Sequence, residues 1–305
     1  MKKADKNILM SVFNISVEEI LQEGNKLALT TAASQHDISN SFVEKSWDRY
    51  FTDLCFGSYK KLVTDANNIG RERTWHFLLK NVALVDKLYS DSINETKILD
   101  IGCSSGYLRR FIEGNHSGLD SSQIYYWGID IREDKIREAT LTSNDIELGS
   151  GGDFIPSAFI VHDVGKELPF KSNSFDYVSI FEMMKYLPVS EGKKLISEIK
   201  RVLKKGGTLS VSAPTSFEYY KEKRPEHMIS LSPNELIDIL ESKGLVVDHV
   251  YGSQGSYKFL KDNIKKEHNE LFAALNDYYP EEITTAIFTP LYPEYSTQIT
   301  IYAHV

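Results

Sequence analysis

The chain has 305 residues, of which 41% are apolar and 26% are charged, the composition of an ordinary folded globular protein. This length suffices for one large domain, or for a domain with a cap. The net charge is −8, which argues against a nucleic acid as the main partner, because binding to phosphates depends on Lys and Arg.

The two cysteines, Cys55 and Cys103, are far apart and form no disulfide pattern. No apolar run approaches the roughly 20 residues of a membrane span. The basic N-terminus meets Asn14, Glu18 and Glu19 before any long apolar core forms, so it makes a poor signal peptide. We therefore expect a cytoplasmic protein without a membrane partner.

Residues 1–95 predict a helical N-terminal segment. Apolar side chains recur at helical spacing over residues 17–29, 42–62 and 71–89, and no alternating strand pattern appears there. Most of the aromatic residues in these stretches are expected to pack in the core. We expect the segment to act as a lid or cap over a site in residues 96–305.

From residue 97 onward, strands and helices alternate, which predicts an α/β domain with a doubly wound, mostly parallel sheet. The last strand, residues 297–305, is expected to be antiparallel, because no simple crossover helix precedes it. A helical insertion is expected over about residues 256–296. The predicted strands are seven: residues 98–101, 125–130, 158–162, 175–181, 208–213, 246–251 and 297–305.

The stretch KILDIGCSSGYL, residues 97–108, predicts a buried strand, a tight turn and a helix. Such a turn presents backbone N–H groups to a polar ligand. The dinucleotide pattern G-x-G-x-x-G fails here, because Ser104 and Tyr107 replace its second and third glycines. A second interpretation is a nucleophile elbow, G-x-S-x-G, with Ser104 as nucleophile and Asp176 and His304 as partners. It lacks the expected oxyanion loop.

A third interpretation accounts for more of the chain. The motifs LDIGCSSG (99–106), WGIDI (127–131), IVHDV (160–164), ELPFKSNSFDYVSIFEMMKYL (167–187) and EIKRVLKKGGTLSVSAP (198–214) follow in order. In these motifs the chain resembles the class I S-adenosylmethionine-dependent methyltransferases, which have a Rossmann-like sheet. Two positions depart from the family pattern: Ser104 replaces a glycine, and Lys205 replaces a proline.

The resemblance implies S-adenosylmethionine as cofactor and S-adenosylhomocysteine as product. It implies that Asp130 accepts the ribose hydroxyls, that Asp163 and the Val164 amide bind the adenine, and that Asp100 orients the methionine ammonium. The floor of the site and the surroundings of the adenosine are then expected from six residues: Gly102, Cys103, Ser104, Gly106, Ile131 and Phe181.

The resemblance places the methyl acceptor over the end of the fourth strand, near Glu182 and Tyr186. Relatives often carry a Glu-His pair there, whereas this chain has Lys185 and Tyr186. A base from this strand is therefore not a histidine, and His227 in the following loop is the remaining histidine candidate.

The resemblance thus implies methyl transfer to an O or N atom of a small or medium metabolite, such as a sugar, a nucleotide-linked sugar, an amine or a secondary metabolite. A DNA acceptor is disfavoured, because the N-P-P-Y type of motif is missing at the fourth strand. A protein or tRNA acceptor, an inactive cofactor-binding scaffold subunit and a homodimer stay open.

Overall fold

The computed structural model describes residues 3–14, 27–30, 83–84, 87–88, 95–114, 123–142, 155–215 and 231–305. Within these ranges the strands form one mixed sheet in the order β1-β4-β3-β2-β5-β6-β8-β7. The strands are β1 (Leu27–Thr30), β2 (Thr96–Ile101), β3 (Ile124–Asp130), β4 (Ser157–Val161), β5 (Phe175–Phe181), β6 (Leu203–Pro214), β7 (Val246–Gly255) and β8 (Ser296–His304).

The predicted seven-stranded sheet is confirmed. Strands β4, β3, β2, β5 and β6 are parallel neighbours, and β8 lies antiparallel between β6 and β7. Because β8 runs opposite to the parallel strands, its first residues lie at the edge where those strands end.

One strand was not predicted. β1 pairs antiparallel with β4 at the edge of the sheet, so the helix expected over residues 17–29 is wrong at its C-terminal end. A strand of four residues is too short to show an alternation that distinguishes it from a helix turn.

The helices lie between the strands, as the alternation predicts. Helix α5 begins with the expected capping box: Ser232 accepts from the Glu235 amide, and the Ser232 amide donates to Oε2 of Glu235 at 2.7 Å. The helices are α1 (Lys3–Ser11), α2 (Tyr107–Gly114), α3 (Glu133–Thr142), α4 (Val189–Val202), α5 (Pro233–Ser242), α6 (Tyr257–Asn263), α7 (Asn269–Tyr278) and α8 (Glu281–Phe288).

Helices α6, α7 and α8 form the predicted insertion between β7 and β8. They enclose a small apolar cluster of their own, with Leu260, Phe272, Phe288 and Tyr292 buried. None of the helices among the described residues is long and apolar enough to span a membrane.

Helix α1 packs into the main core. The indole N–H of Trp127 donates to the Leu9 carbonyl at 3.1 Å, and the rings of Phe13 and Phe170 lie 5.2 Å apart. The start of the N-terminal segment is therefore joined to the sheet. The lid role expected for residues 1–95 stays a prediction, because residues 31–82 lie outside the described ranges.

Candidate active site

The turn after β2 is built from left-handed backbone. Gly102, Ser104 and Gly106 have φ values of 75°, 48° and 79°. The amides of Gly102 and Cys103 both donate to the Ile129 carbonyl, at 2.8 and 3.0 Å, which ties the turn to the end of β3. Small residues are needed here, because side chains are strained in this conformation. Ser104 adopts it at the position where the family pattern expects glycine.

Asp130 lies at the carboxyl end of β3 and bridges two segments. Its Oδ2 accepts from the Ser104 amide at 2.9 Å, and its Oδ1 accepts from the Arg132 amide at 2.9 Å. The side chain is half-buried. A carboxylate is thereby fixed beside the turn, with one edge of the residue open to solvent.

Asp100, the last residue but one of β2, is buried in the interior. Its two carboxylate oxygens accept from the hydroxyls of Tyr126 and Ser179, each at 2.7 Å. Burial raises the pKa of Asp100 from 3.8 to about 6, and the two hydrogen bonds oppose this rise. A buried carboxylate of this kind is stabilised by a cation placed near it.

The remaining predicted cofactor contacts follow β3 and β4. Ile131 is 64% exposed directly after Asp130. Asp163 is exposed, and its Oδ1 accepts from the Gly165 amide at 2.9 Å. Val164 packs against the main core. These residues form one row along the carboxyl edge of the sheet.

Cys103 does not act as a nucleophile in this geometry. The side chain is 3% exposed, and burial raises the pKa of its thiol well above the ordinary value. Its sulfur donates to the Ser104 carbonyl at 3.6 Å. Among the described residues no group of His, Cys, Asp and Glu side chains could hold a metal ion.

The nucleophile-elbow interpretation of Ser104 is wrong. Oδ2 of Asp176 accepts from the Lys97 amide at 2.9 Å, at the start of β2, and His304 pairs with Asp248 at 2.9 Å. Both expected partners therefore lie at the amino edge of the parallel strands, opposite the turn that carries Ser104.

Glu182 follows β5 at the carboxyl edge and has a φ of 59°. Three groups from three parts of the chain donate to its carboxylate: the Ser212 hydroxyl at 2.7 Å, the Gln298 amide at 3.0 Å and the Lys185 ammonium at 3.3 Å. Several hydrogen bonds to one side chain can hold a non-glycine residue in a strained backbone conformation.

The segment after Glu182 lies against the turn of β2. A Cβ added to Gly102 would lie 2.9 Å from Cγ of Met183. Tyr186 is 51% exposed, with the Lys185 ammonium 5.2 Å from the centre of its ring. Phe181 packs against the core cluster behind the turn. The structure thus brings Glu182 and the glycine turn together; His227 lies outside the described residues.

Sequence reasoning missed Gln298 and Ser212. Both lie in strands whose polar residues alternate with apolar ones, a pattern that predicts a solvent-facing side rather than a site. No local signal distinguishes them, because their role depends on which strands become neighbours.

The family comparison agrees with this arrangement. A model of the methyltransferase domain matches residues 99–211, from the strand before the glycine turn to the middle of β6. Residues 99–211 thus form a methyltransferase domain, and in these residues the chain resembles the class I S-adenosylmethionine-dependent enzymes.

Curated relatives of this methyltransferase domain act on different molecules. A sterol 24-C-methyltransferase of Saccharomyces cerevisiae is 28% identical over 199 residues, which are 64% of this chain and 44% of that protein. A demethylmenaquinone methyltransferase of Listeria welshimeri is 31% identical over 121 residues, 38% of this chain and 43% of that protein. The chain thus spans less than half the length of these two relatives.

Among solved structures, a candidate sarcosine dimethylglycine methyltransferase from Galdieria sulphuraria superposes with a TM-score of 0.52. The comparison covers 88% of this chain and 98% of that one, at 17% sequence identity. The two proteins therefore share the methyltransferase fold.

The residues present fit the cofactor of this family. S-adenosylmethionine carries an ammonium, a ribose diol, an adenine and a sulfonium, and no phosphate. The edge of the sheet offers matching groups: a buried carboxylate at Asp100, a fixed carboxylate at Asp130 and an exposed apolar surface at Ile131.

Proposed function

We propose that the protein transfers a methyl group from S-adenosylmethionine to an O or N atom of a small or medium metabolite. The observation that carries the proposal is the convergence of the glycine turn, Asp130 and the Glu182 cluster at one edge of the sheet. The cofactor supplies a methyl group already activated on a sulfonium. The protein therefore needs mainly to orient two molecules in a site that excludes water.

The half of the site that binds the donor comes from β2, β3 and β4. Asp130 accepts the ribose hydroxyls, which requires its carboxylate to keep the position that the Ser104 and Arg132 amides give it. Asp100 compensates the methionine ammonium, and Asp163 with the Val164 amide binds the adenine beside Ile131. Gly102, Cys103, Ser104 and Gly106 form the floor.

The half that binds the acceptor comes from β5 and its neighbours. Glu182, held by its three donors, orients an N–H or O–H group of the acceptor. Phe181 and Tyr186 line the site. His227 is the candidate base when the acceptor is protonated at the working pH. The net charge of the chain, −8, favours a metabolite over tRNA as the acceptor, because tRNA binding depends on Lys and Arg against phosphates.

A single experiment tests this function. The purified protein is incubated with S-adenosylmethionine carrying a ¹³C-methyl group and a metabolite extract of the source cells, and the products are followed by heteronuclear NMR. New O-methyl or N-methyl signals are expected. Cofactor binding by calorimetry without any new methyl signal would instead indicate an inactive scaffold subunit.

A second candidate is transfer to carbon. It is favoured by relatives that are named sterol 24-C-methyltransferases. The same NMR experiment separates the two, because a methyl group bonded to carbon resonates far from one bonded to oxygen or nitrogen.

A further inference from the structure

One face of the sheet carries a run of polar side chains from β2 to β8, beside Ile98, Tyr177 and Phe181 of the smaller apolar cluster. Directly paired residues share a face, and the pairs Asp100–Ser179, Ser179–Ser210 and Ser212–Thr300 carry polar side chains from strand to strand. We call this set the polar face. Its members are Asp100, Ser179, Ser210, Ser212, Gln298 and Thr300, all at least 94% buried.

The opposite face shows the ordinary arrangement. There Leu99, Val178, Val211 and Ile301 belong to the main apolar cluster. A buried sheet face that only supports helices is normally apolar, because buried polar groups are costly unless they are hydrogen-bonded. Ser179 and Ser212 meet this condition by donating to Asp100 and Glu182, so the members that need an explanation are Gln298 and Thr300.

Among the residues that the structure describes, two buried atoms of the polar face have no hydrogen-bond partner: Oε1 of Gln298 and Oγ1 of Thr300. The Gln298 amide nitrogen must face Glu182, because the carboxylate accepts and the amide donates. Its Oε1 is thus directed away from that carboxylate. A buried polar atom left unpaired costs about 1–3 kcal/mol, so such atoms call for an explanation.

The two unpaired atoms belong to residues near the carboxyl edge of the parallel strands, where the glycine turn and Glu182 lie. Gln298 pairs with Pro214, the last residue of β6, and with Ser253, near the end of β7. Its amide holds Glu182, and the next residue, Met183, contacts the Gly102 turn. Thr300 pairs with Ser212, whose hydroxyl donates to Glu182. Both side chains therefore lie beside the residue that is proposed to orient the acceptor.

We propose that Gln298 and Thr300 bind the methyl acceptor, and that this acceptor carries hydroxyl or amine groups that donate hydrogen bonds to Oε1 and Oγ1. The inference rests on the proposed methyl transfer and names its substrate class: a compact polar metabolite rather than an apolar chain. Such a site discriminates strongly, since an acceptor without these groups leaves both atoms unpaired.

The test uses Thr300→Val, which removes the hydroxyl and keeps the shape. Oγ1 of Thr300 makes no hydrogen bond to the Glu182 carboxylate, so the substitution preserves the three hydrogen bonds that hold Glu182. Ile301→Val is the matched control: it changes a β-branched residue on the same strand, on the apolar face. Methyl transfer is measured with labelled S-adenosylmethionine and an extract of the source cells, partitioned into aqueous, chloroform and precipitated fractions.

The label is expected in the aqueous fraction. Thr300→Val should lower the rate about fivefold or more at limiting extract, with unchanged cofactor affinity and an unchanged or raised melting temperature. Ile301→Val should keep the wild-type rate. Label confined to the chloroform or precipitated fraction would overturn the inference, as would equal rates for the two variants. Absence of label from all fractions would contradict the proposed methyl transfer itself.

Discussion

The hydroxyl of Tyr126 donates to Oδ2 of Asp100 at 2.7 Å in the interior of the sheet, where neither side chain meets solvent. This bond stabilises the ionised form of a carboxyl group whose burial favours the protonated form. The balance leaves the pKa of Asp100 at about 6, so its charge changes close to physiological pH.

The first prediction concerns stability against pH. Because the folded-state pKa of Asp100 is raised from 3.8 to about 6, the stability that protonation provides is complete below the lower value and is lost as the pH rises through the higher one. The loss for this group is on the order of 3 kcal/mol at 1.36 kcal/mol per pKa unit. Chemical denaturation at a series of pH values should show that Asp100→Asn lacks this dependence.

Tyr126→Phe provides the companion variant. Removing a bond that lowers the pKa of Asp100 should move the pH-dependent loss to higher pH than in the wild type. Identical pH profiles for wild type and Tyr126→Phe would show that the bond does not influence the carboxyl group.

The second prediction concerns Asp130. Asp130→Ala should weaken S-adenosylmethionine binding by about 1–3 kcal/mol, or roughly 5- to 150-fold, through lost charged hydrogen bonds. Titration calorimetry measures this directly. Asp134→Ala is the control, since Asp134 is exposed and pairs with Arg132 at 2.6 Å. Equal affinities for both variants would remove Asp130 from the ribose role.

The third prediction compares two glycines with the same backbone conformation. Gly102 has a φ of 75° and Gly206 a φ of 74°, but a Cβ at Gly102 would meet Met183 whereas one at Gly206 meets nothing within 4 Å. Alanine at either position should cost about 1–2 kcal/mol of folding stability. Gly102→Ala alone should also weaken cofactor binding. If Gly206→Ala weakened it to the same degree, the effect would be general destabilisation.

The fourth prediction concerns Glu182. Glu182→Gln keeps the size of the side chain but removes its charge, so it should lower kcat/KM for the acceptor at least tenfold and leave the cofactor affinity unchanged. Ser212→Ala, which removes one of the three donors, should have a smaller effect. A loss of cofactor affinity in Glu182→Gln would mean that the residue belongs to the donor half of the site.

Much of the fold follows from local pattern. The fourth strand was predicted at residues 175–181 and is observed at the same bounds, because it is a short, buried, β-branched and aromatic run. The capping box at Ser232 and the turn at Gly102 were likewise readable, since both depend on residue types at fixed short spacing.

The missed features depend on long-range pairing. Gln298 lies in a strand that alternates polar and apolar residues, which predicts one exposed face, yet both faces of β8 are buried over residues 298–303. The left-handed backbone of Ser104 and Glu182 could not be predicted either, because neither residue type is characteristic of that conformation.

Because of the direction of β8, the proposed donor half and the proposed acceptor half of the site depend on different segments of the chain. The groups proposed to bind the methyl donor lie within residues 100–164. Gln298 contacts Glu182 because β8, which follows the insertion, is antiparallel to β6. A change in the length or packing of helices α6–α8 would therefore shift the position of Gln298 and leave the glycine turn unchanged. Remodelling this one inserted segment would therefore change the proposed acceptor half of the site and leave the proposed donor half as it is.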